Sequence, residues 1–410
     1  MPNFSIPLSG LTAEATALSA IANNLANQNT TGYKDTRVLF SDLFYQNLGT
    51  TGAGDPIQLG SGTQVDSMPS NFTQGSVTAT GVPTDVAIQG DGFFAVQKNG
   101  VTSYTRAGDF SVDQNNFLVT SDGQQVLGYP AVNGVVNTGG GVGPLQLGAG
   151  TISPPTVTSQ VSITTNLNSG ANVGDTYSTP VTIYDSLGAS HILTFTFTKT
   201  AANAWSYSLA VPPGDSKLVG GIVTTGTMTF DGNGNLLTPK ANVTGLSIPG
   251  LTDGATDMTF DWDLYGGTTP VISQVAATSS TSSTNQDGSS SGTLTDFSIG
   301  SDGTVTGSFT NGKTAALGQV ALAGFANEGG LQNDGATDFT QTLASGQAVV
   351  GIAGTGGRGT LSGGSLELSN VDIATEFANL IVAQRAFEAN AKAVTTFDQI
   401  TQDTINLKQQ

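Results

Sequence analysis

The chain has 410 residues, room for two or three domains with cores of their own. Only 10% of them are charged, against about 25% in an ordinary soluble protein, while Gly alone numbers 55. The balance is acidic, with 30 Asp+Glu against 12 Lys+Arg and a net charge of -18, which argues against nucleic acid and against an anionic membrane surface.

No Cys is present, so disulfides and Cys-based metal sites are excluded, and a lone His191 argues against a zinc centre. No apolar run approaches the ~18 residues of a transmembrane helix, so no membrane insertion is expected. No Lys or Arg precedes Lys34, so the start lacks the basic region of a cleaved secretory signal.

In chain order, the first element is a helix. Leu11, Ala15, Leu18, Ala22 and Leu25 step by four, three, four and three, a heptad seam of alternating leucine and alanine. It stops near Asn27, where Asn29-Thr30-Thr31-Gly32 has turn chemistry. A helix of about 15 residues is marginal alone in water, so a partner must cover its apolar stripe. Thr50 to Ser76 follows, rich in Gly, Thr, Ser and Gln without clear periodicity, and reads as an irregular, mobile segment.

The middle of the chain is β-rich. Leu193, Phe195 and Phe197 alternate with threonines; Trp205, Tyr207, Leu209 and Val211 alternate with small residues; Met258, Phe260, Trp262 and Leu264 alternate with polar ones. Period two with one apolar face predicts half-buried antiparallel strands. Asn99-Gly100, Asp122-Gly123, Asp302-Gly303 and Asn311-Gly312 are hairpin dipeptides. Thr278 to Gly292 is a Ser/Thr run with almost no apolar residue and reads as a flexible connection.

Three stretches imitate chemical motifs. Asp231 to Asn235 resembles the opening of a calcium loop, but Leu236 and Asn242 stand where the Gly and Glu are required, so it reads as a tight turn. Gly288-Ser289-Ser290-Ser291-Gly292 has hydrolase-elbow spacing without the strand-to-helix context, and the chain's one histidine lies in a predicted strand. Gly354 to Gly359 matches GxGxxG, yet no second parallel strand follows to supply the ribose-binding acid. No catalytic, cofactor or metal residue is therefore assigned, and no enzyme is expected.

The chain ends in a second helix. Ser369 with Asp372 fits a capping box, Glu376 suits the positive helix start, and Lys408 suits the end. Ile373, Phe377, Leu380, Gln384, Phe387, Ala391 and Val394 again step four and three, and Ile381, Phe397, Ile400 and Ile405 widen the apolar face. Asn370 to Leu407 contains neither Gly nor Pro, enough for a rod of roughly 55 Å. A glycine-rich β chain offers these helices no helical layer to join, which favours packing between molecules over a monomeric hairpin.

Several segments resemble one family. Leu18 to Asn27 followed by Thr31-Gly32-Tyr33-Lys34 is similar to the N-terminal signature of flagellar rod and hook proteins. Gln89 to Phe94 with Tyr104 to Phe110 resembles their first β segment. Ser369 to Asp372 with Gln384 to Asn390 resembles their C-terminal signature. A second β domain, with Thr182 to Gly188 followed by Leu193 to Phe197, resembles the extra outer domain of hook proteins and favours hook over distal rod.

The expected fold is mainly β with α-helical termini: antiparallel sandwich- or barrel-like domains nested in series, and terminal helices paired in a coiled-coil-like arrangement. The expected domains are 1–30 with 366–410 (helical polymerisation), 31–76 (extended linker), 77–150 with 290–365 (inner β) and 151–289 (inserted outer β). The expected polymerisation surface is Leu11, Ala15, Leu18, Ala22, Leu25, Ile373, Phe377, Leu380, Phe387, Ala391 and Val394.

The resemblance implies a non-enzymatic subunit of a flexible curved tube outside the cell. That tube transmits torque from rod to filament and encloses an export channel. The implied partners are further copies of the chain, a hook cap protein, a distal rod protein, a hook–filament junction protein and the flagellar type III export apparatus, with no signal cleavage. A distal rod protein, or a secreted acidic β-rich adhesin, are the alternatives.

Overall fold

Apolar residues spaced every second position need a sheet to cover them, and most of the chain supplies one. The computed structural model describes residues 5–52, 55–147 and 152–407. Two helices flank the strands: α1, Ser5–Ala26, and α2, Ile373–Leu407. The chain divides into two units, one of Met1–Gly148, Asp296–Gly307 and Ala315–Gln410, the other of Ala149–Thr295 and Ser308–Thr314.

In the first unit, strands Phe93–Lys98 and Val101–Thr105 form a hairpin through Asn99 and Gly100, whose φ values of 52° and 84° are those of the predicted tight turn. Strand Thr314–Gly324 pairs with both Gln125–Val132 and Phe93–Lys98, so the sheet curls back on itself. Phe93 to Val96 are buried on both faces. Phe94 enters a cluster with Val86, Ile88, Phe110, Val320 and Leu322, while Phe93 enters a second one with Tyr104, Leu127 and Phe339. Edge-to-face contacts of Phe93 with Phe72 (5.3 Å) and Phe325 (5.7 Å) close that second cluster.

The second unit stacks two sheets. One is an antiparallel meander of Thr176–Tyr184, Ser190–Ala201, Ala204–Ala210, Ile222–Phe230 and Leu236–Thr238. The other is mixed: Gln160–Asn168 pairs parallel with Met258–Asp263 and Ile272–Val275, and antiparallel with Ser280–Gln286. The predicted apolar alternations meet in one core, with Phe195, Phe197, Trp205, Leu209, Met258, Phe260 and Trp262 all buried. Trp262 sits 5.1 Å from both Phe195 and Tyr207.

Four local expectations need correction. Thr278 to Gly292 is not a flexible connection: Ser280–Gln286 is an edge strand whose outward positions are polar, so it lacks the apolar period that marks a half-buried strand. Thr50 to Ser76 is not irregular: Leu39–Asp42 pairs with Thr63–Ser67, and Gln46–Thr50 with Pro56–Leu59. Antiparallel pairing is not universal, because parallel partners far apart in sequence leave no local signal. The α2 cap is Asp372 rather than a Ser369–Asp372 box. The Asp372 Oδ1 accepts from the amides of Ala374 (2.9 Å) and Thr375 (3.3 Å), bonds that hold its carboxyl below the usual range. Lys408, expected at the helix end, lies outside the described residues. The glycine-rich stretch at 354–359 is a turn between strands Val349–Ile352 and Thr360–Gly363, with no helix opening on it.

Candidate assembly site at the chain ends

α1 is one and a half times as long as the leucine seam predicts. Its described part runs Ser5–Ala26 and includes Pro7 near the Ser5 end. The two helices pack antiparallel. A Cβ on Gly10 would meet the Asn390 side chain at 2.8 Å, and Asn24, at the other end of α1, lies beside Glu376 at the start of α2.

The seam between them is made of small and polar residues. Ala13, Ala17, Ala20 and Asn24 are buried along α1, continuing the three-four spacing from Gly10. On α2 the buried residues are Glu376 and Ala383, seven apart, in step with Asn390. Small side chains let two backbones approach closely, so this stripe takes the contact that the larger leucines cannot. Burial in this seam raises the Glu376 carboxyl above its usual range.

The predicted stripe lies elsewhere on the same helices. Leu11, Ala15, Leu18 and Leu25 are half-buried and Ala22 is exposed. On α2, Leu380, Phe387, Ala391 and Val394 are half-buried, while Ile373 and Phe377 are 47% and 52% exposed. Ile381, Val382, Ile400 and Ile405 are also exposed. Pairing within one chain therefore covers the leucines of α1 only in part, and leaves Leu8 and much of the apolar face of α2 in water. The hairpin of residues 39–67 adds to this surface with exposed Leu39, Phe40, Phe44, Tyr45, Leu48, Ile57 and Leu59. It rests on α1, where the Thr63 amide donates to Ser9 Oγ at 3.2 Å.

A buried polar junction fixes both helices to the β unit. Asn24 Oδ1 accepts from the Thr36 amide (3.0 Å) and from the Tyr33 hydroxyl (3.1 Å), and its Nδ2 donates to Thr36 O (3.0 Å). Asn370 answers from the other terminus, accepting from the Asp35 amide at 2.8 Å and donating to Asn71 O at 2.8 Å.

Lys34 Nζ reaches Glu367 Oε1 at 2.7 Å and Thr73 O at 2.8 Å, with Arg106 Nη1 3.5 Å from Glu367 Oε2. All three charged side chains are buried; burial lowers the Lys34 ammonium while Glu367 pulls it back up. Gly32 has φ +67° and a Cβ there would meet the Ala107 amide at 2.5 Å, so only glycine fits the turn that brings Lys34 in. The signature residues of the two ends are thus largely this junction. Asn24, Gly32, Lys34, Arg106 and Asn370 all fall in the motifs that sequence singles out; Glu367, their common partner, does not.

No helix is long and apolar enough to cross a membrane among the described residues. His191 lies in a strand, Ser190–Ala201, as expected, and three aspartates surround it in the second unit.

Comparison with known proteins agrees with this geometry. The family description "Flagella basal body rod protein" matches residues 6–34, "Flagellar hook protein FlgE/F/G D1 domain" 87–166, "Flagellar basal body protein FlaE D2 domain" 155–289 and "Flagellar basal body rod FlgEFG protein C-terminal" 362–407. The flagellar hook protein FlgE of Escherichia coli K12 is 36% identical over 420 residues, covering 99% of this chain and 100% of its own. That of Salmonella typhimurium LT2 is 36% identical over 422 residues, covering 99% and 100%. That of Treponema pallidum is 34% identical over 454 residues, covering 98% of each. With full-length identity at this level, two paired helical ends and an inserted second β unit, the chain belongs to the flagellar hook protein family.

Proposed function

We propose that this chain is the structural subunit of a bacterial flagellar hook, a non-enzymatic block that polymerises with copies of itself. The observation that carries the reading is the division of labour on the terminal helices. The closed seam within one chain uses Ala13, Ala17, Ala20 and Ala383, and leaves Phe377, Ile381 and Val382 for other molecules.

In the tube, α1 and α2 of many copies form an inner layer lining the export channel. Residues 77–150 with 290–365 form a middle shell, and residues 151–289 lie outermost. Continuous apolar contact between helices, at roughly 25 cal/mol per Å² buried, resists twist. The β shells meet through polar, sparsely charged surfaces that slide, so the tube bends while it carries torque from rod to filament. Low charge density lets subunits of net charge -18 stack closely.

The hairpin of residues 39–67, within the 31–76 segment expected as an extended linker, is an arm of paired strands whose exposed Phe44, Tyr45 and Leu48 suit contact with a neighbouring copy. The further partners are a hook cap protein during assembly, a distal rod protein and a hook–filament junction protein at the two ends, and the type III export apparatus. The chain passes out without signal cleavage. Sedimentation with electron microscopy under polymerising conditions tests the reading: tubes are expected, and monodisperse particles under all conditions contradict it.

A further inference from the structure

We propose that Asp185, His191 and Asp253 form a binding site for a zinc-class divalent cation, with Asp215 as the residue that orients the histidine. His191 stands in strand Ser190–Ala201; Asp185 precedes it in the 185–189 turn, and Asp253 comes from the loop before Met258–Asp263. His191 Nε2 faces Asp185 Oδ2 at 3.2 Å and Asp253 Oδ2 at 3.5 Å, and the three donor atoms lie within 4.8 Å of one another. Zinc bound to nitrogen and oxygen at its usual lengths, with tetrahedral angles, separates such donors by about 3.3 Å. The two distances therefore match edges of a metal polyhedron.

The other faces of these side chains are already committed. His191 Nδ1 is 3.4 Å from Asp215 Oδ2, the carboxylate backing that fixes a metal-ligating imidazole with its Nε2 lone pair free. Asp185 Oδ1 accepts from the Leu187 and Ala189 amides at 2.8 and 2.9 Å, and Asp253 Oδ1 from the Ala255 amide at 3.0 Å. Each carboxylate is thereby held with its second oxygen toward the histidine.

Charge is the independent argument. Three carboxylates surround one imidazole, and among the described residues no Lys or Arg lies within ion-pair distance of them. Asp185 is fully buried, where uncompensated charge is costly. A divalent cation offsets two of the three carboxylate charges. One imidazole and two carboxylates suit zinc better than magnesium or calcium, which prefer all-oxygen shells. Asp253 and Asp215 are part-exposed, which leaves an entry path and a fourth position for water. Bound there, the ion joins the 185–189 turn to the loop around Asp253 and staples the second unit.

The test uses the full chain stripped with chelator. Zinc chloride should bind once per chain and raise the unfolding midpoint by about 4 °C, with no comparable response to magnesium or calcium. His191→Gln and Asp253→Asn should each abolish the response, and Asp215→Asn should weaken binding about tenfold. Cobalt(II) added to the unsubstituted chain should give the intense visible bands of a tetrahedral site, a readout independent of whether any variant folds. No zinc binding, zinc binding unaffected by His191→Gln and Asp253→Asn, or a weak octahedral cobalt spectrum each overturns the proposal.

Discussion

Lys34 and Glu367 are 333 positions apart in sequence and 2.7 Å apart in the fold. Breaking a buried pair of this kind leaves a charge without its counter-ion, at a cost of about 3–5 kcal/mol. Glu367→Gln is therefore expected to lower the stability of the first unit by about that much in urea unfolding. It should also loosen residues 32–36, which amide exchange would report as lost protection.

A second group, Asp338, is raised to about 6, because burial disfavours its charged form by more than the donating Gln124 amide favours it. The folded state then holds a proton that the unfolded chain releases near 3.8, so this group destabilises progressively as pH rises from about 4 through 6. Asp338→Asn should stabilise by on the order of 1 kcal/mol at pH ~7.5 and be neutral near pH ~4, measured as the difference in urea midpoints. At this scale sequence names half of the first pair and neither member of the second. Lys34 and Arg106 sit in recognisable motifs, but Glu367 and Gln124 are ordinary residues whose importance comes only from where the chain returns. The same holds for His191, whose three aspartates come from separate turns.

At the scale of elements, periodicity finds helices and strands but misplaces their contacts. The leucine stripe of α1 and the Ile373–Val394 stripe of α2 are real periodicities, yet the chain pairs through the alanine stripe one step around the helix. The signal for it was present: Ala13, Ala17 and Ala20 repeat four-three, and Glu376, Ala383 and Asn390 repeat every seven. Large residues outweigh small ones in any hydrophobic pattern and mask it.

The two stripes make opposite predictions. Ala17→Leu or Ala383→Leu forces bulk into a closed seam and should destabilise the helix pair by about 1–3 kcal/mol, read as lost helical signal in the monomer. Phe377→Ser with Ile381→Ser, on the exposed face, should leave monomer stability within about 0.5 kcal/mol and raise the concentration needed for assembly at least tenfold. Deleting Phe377 to Phe397 should abolish assembly while the β units stay folded by near-ultraviolet circular dichroism; loss of their fold would make α2 part of the core. Strands with one apolar face, such as Leu193 to Phe197, were legible because burial itself imposes their period. Ser280–Gln286 and the 39–67 hairpin were not, because edge and exposed strands carry no such imprint.

At the scale of the whole molecule, charge and apolar surface pull in opposite directions. Copies of net charge -18 repel at long range, while the uncovered faces of α1, α2 and the hairpin attract at contact. Screening shortens the repulsion without touching the attraction. Raising ionic strength from about 0.02 M to about 0.2 M should therefore lower the critical concentration for assembly, which sedimentation would show; a rise would assign the contacts to ion pairs instead.

The most direct measurement uses the absence of cysteine in this chain. A single Phe377→Cys reporter, probed with a maleimide, should react readily in the soluble monomer and become protected at least tenfold once tubes form. Equal protection in a monomer that never associates would show the face covered within one copy, and ready labelling in assembled tubes would show that sister molecules do not cover it; either result contradicts the account.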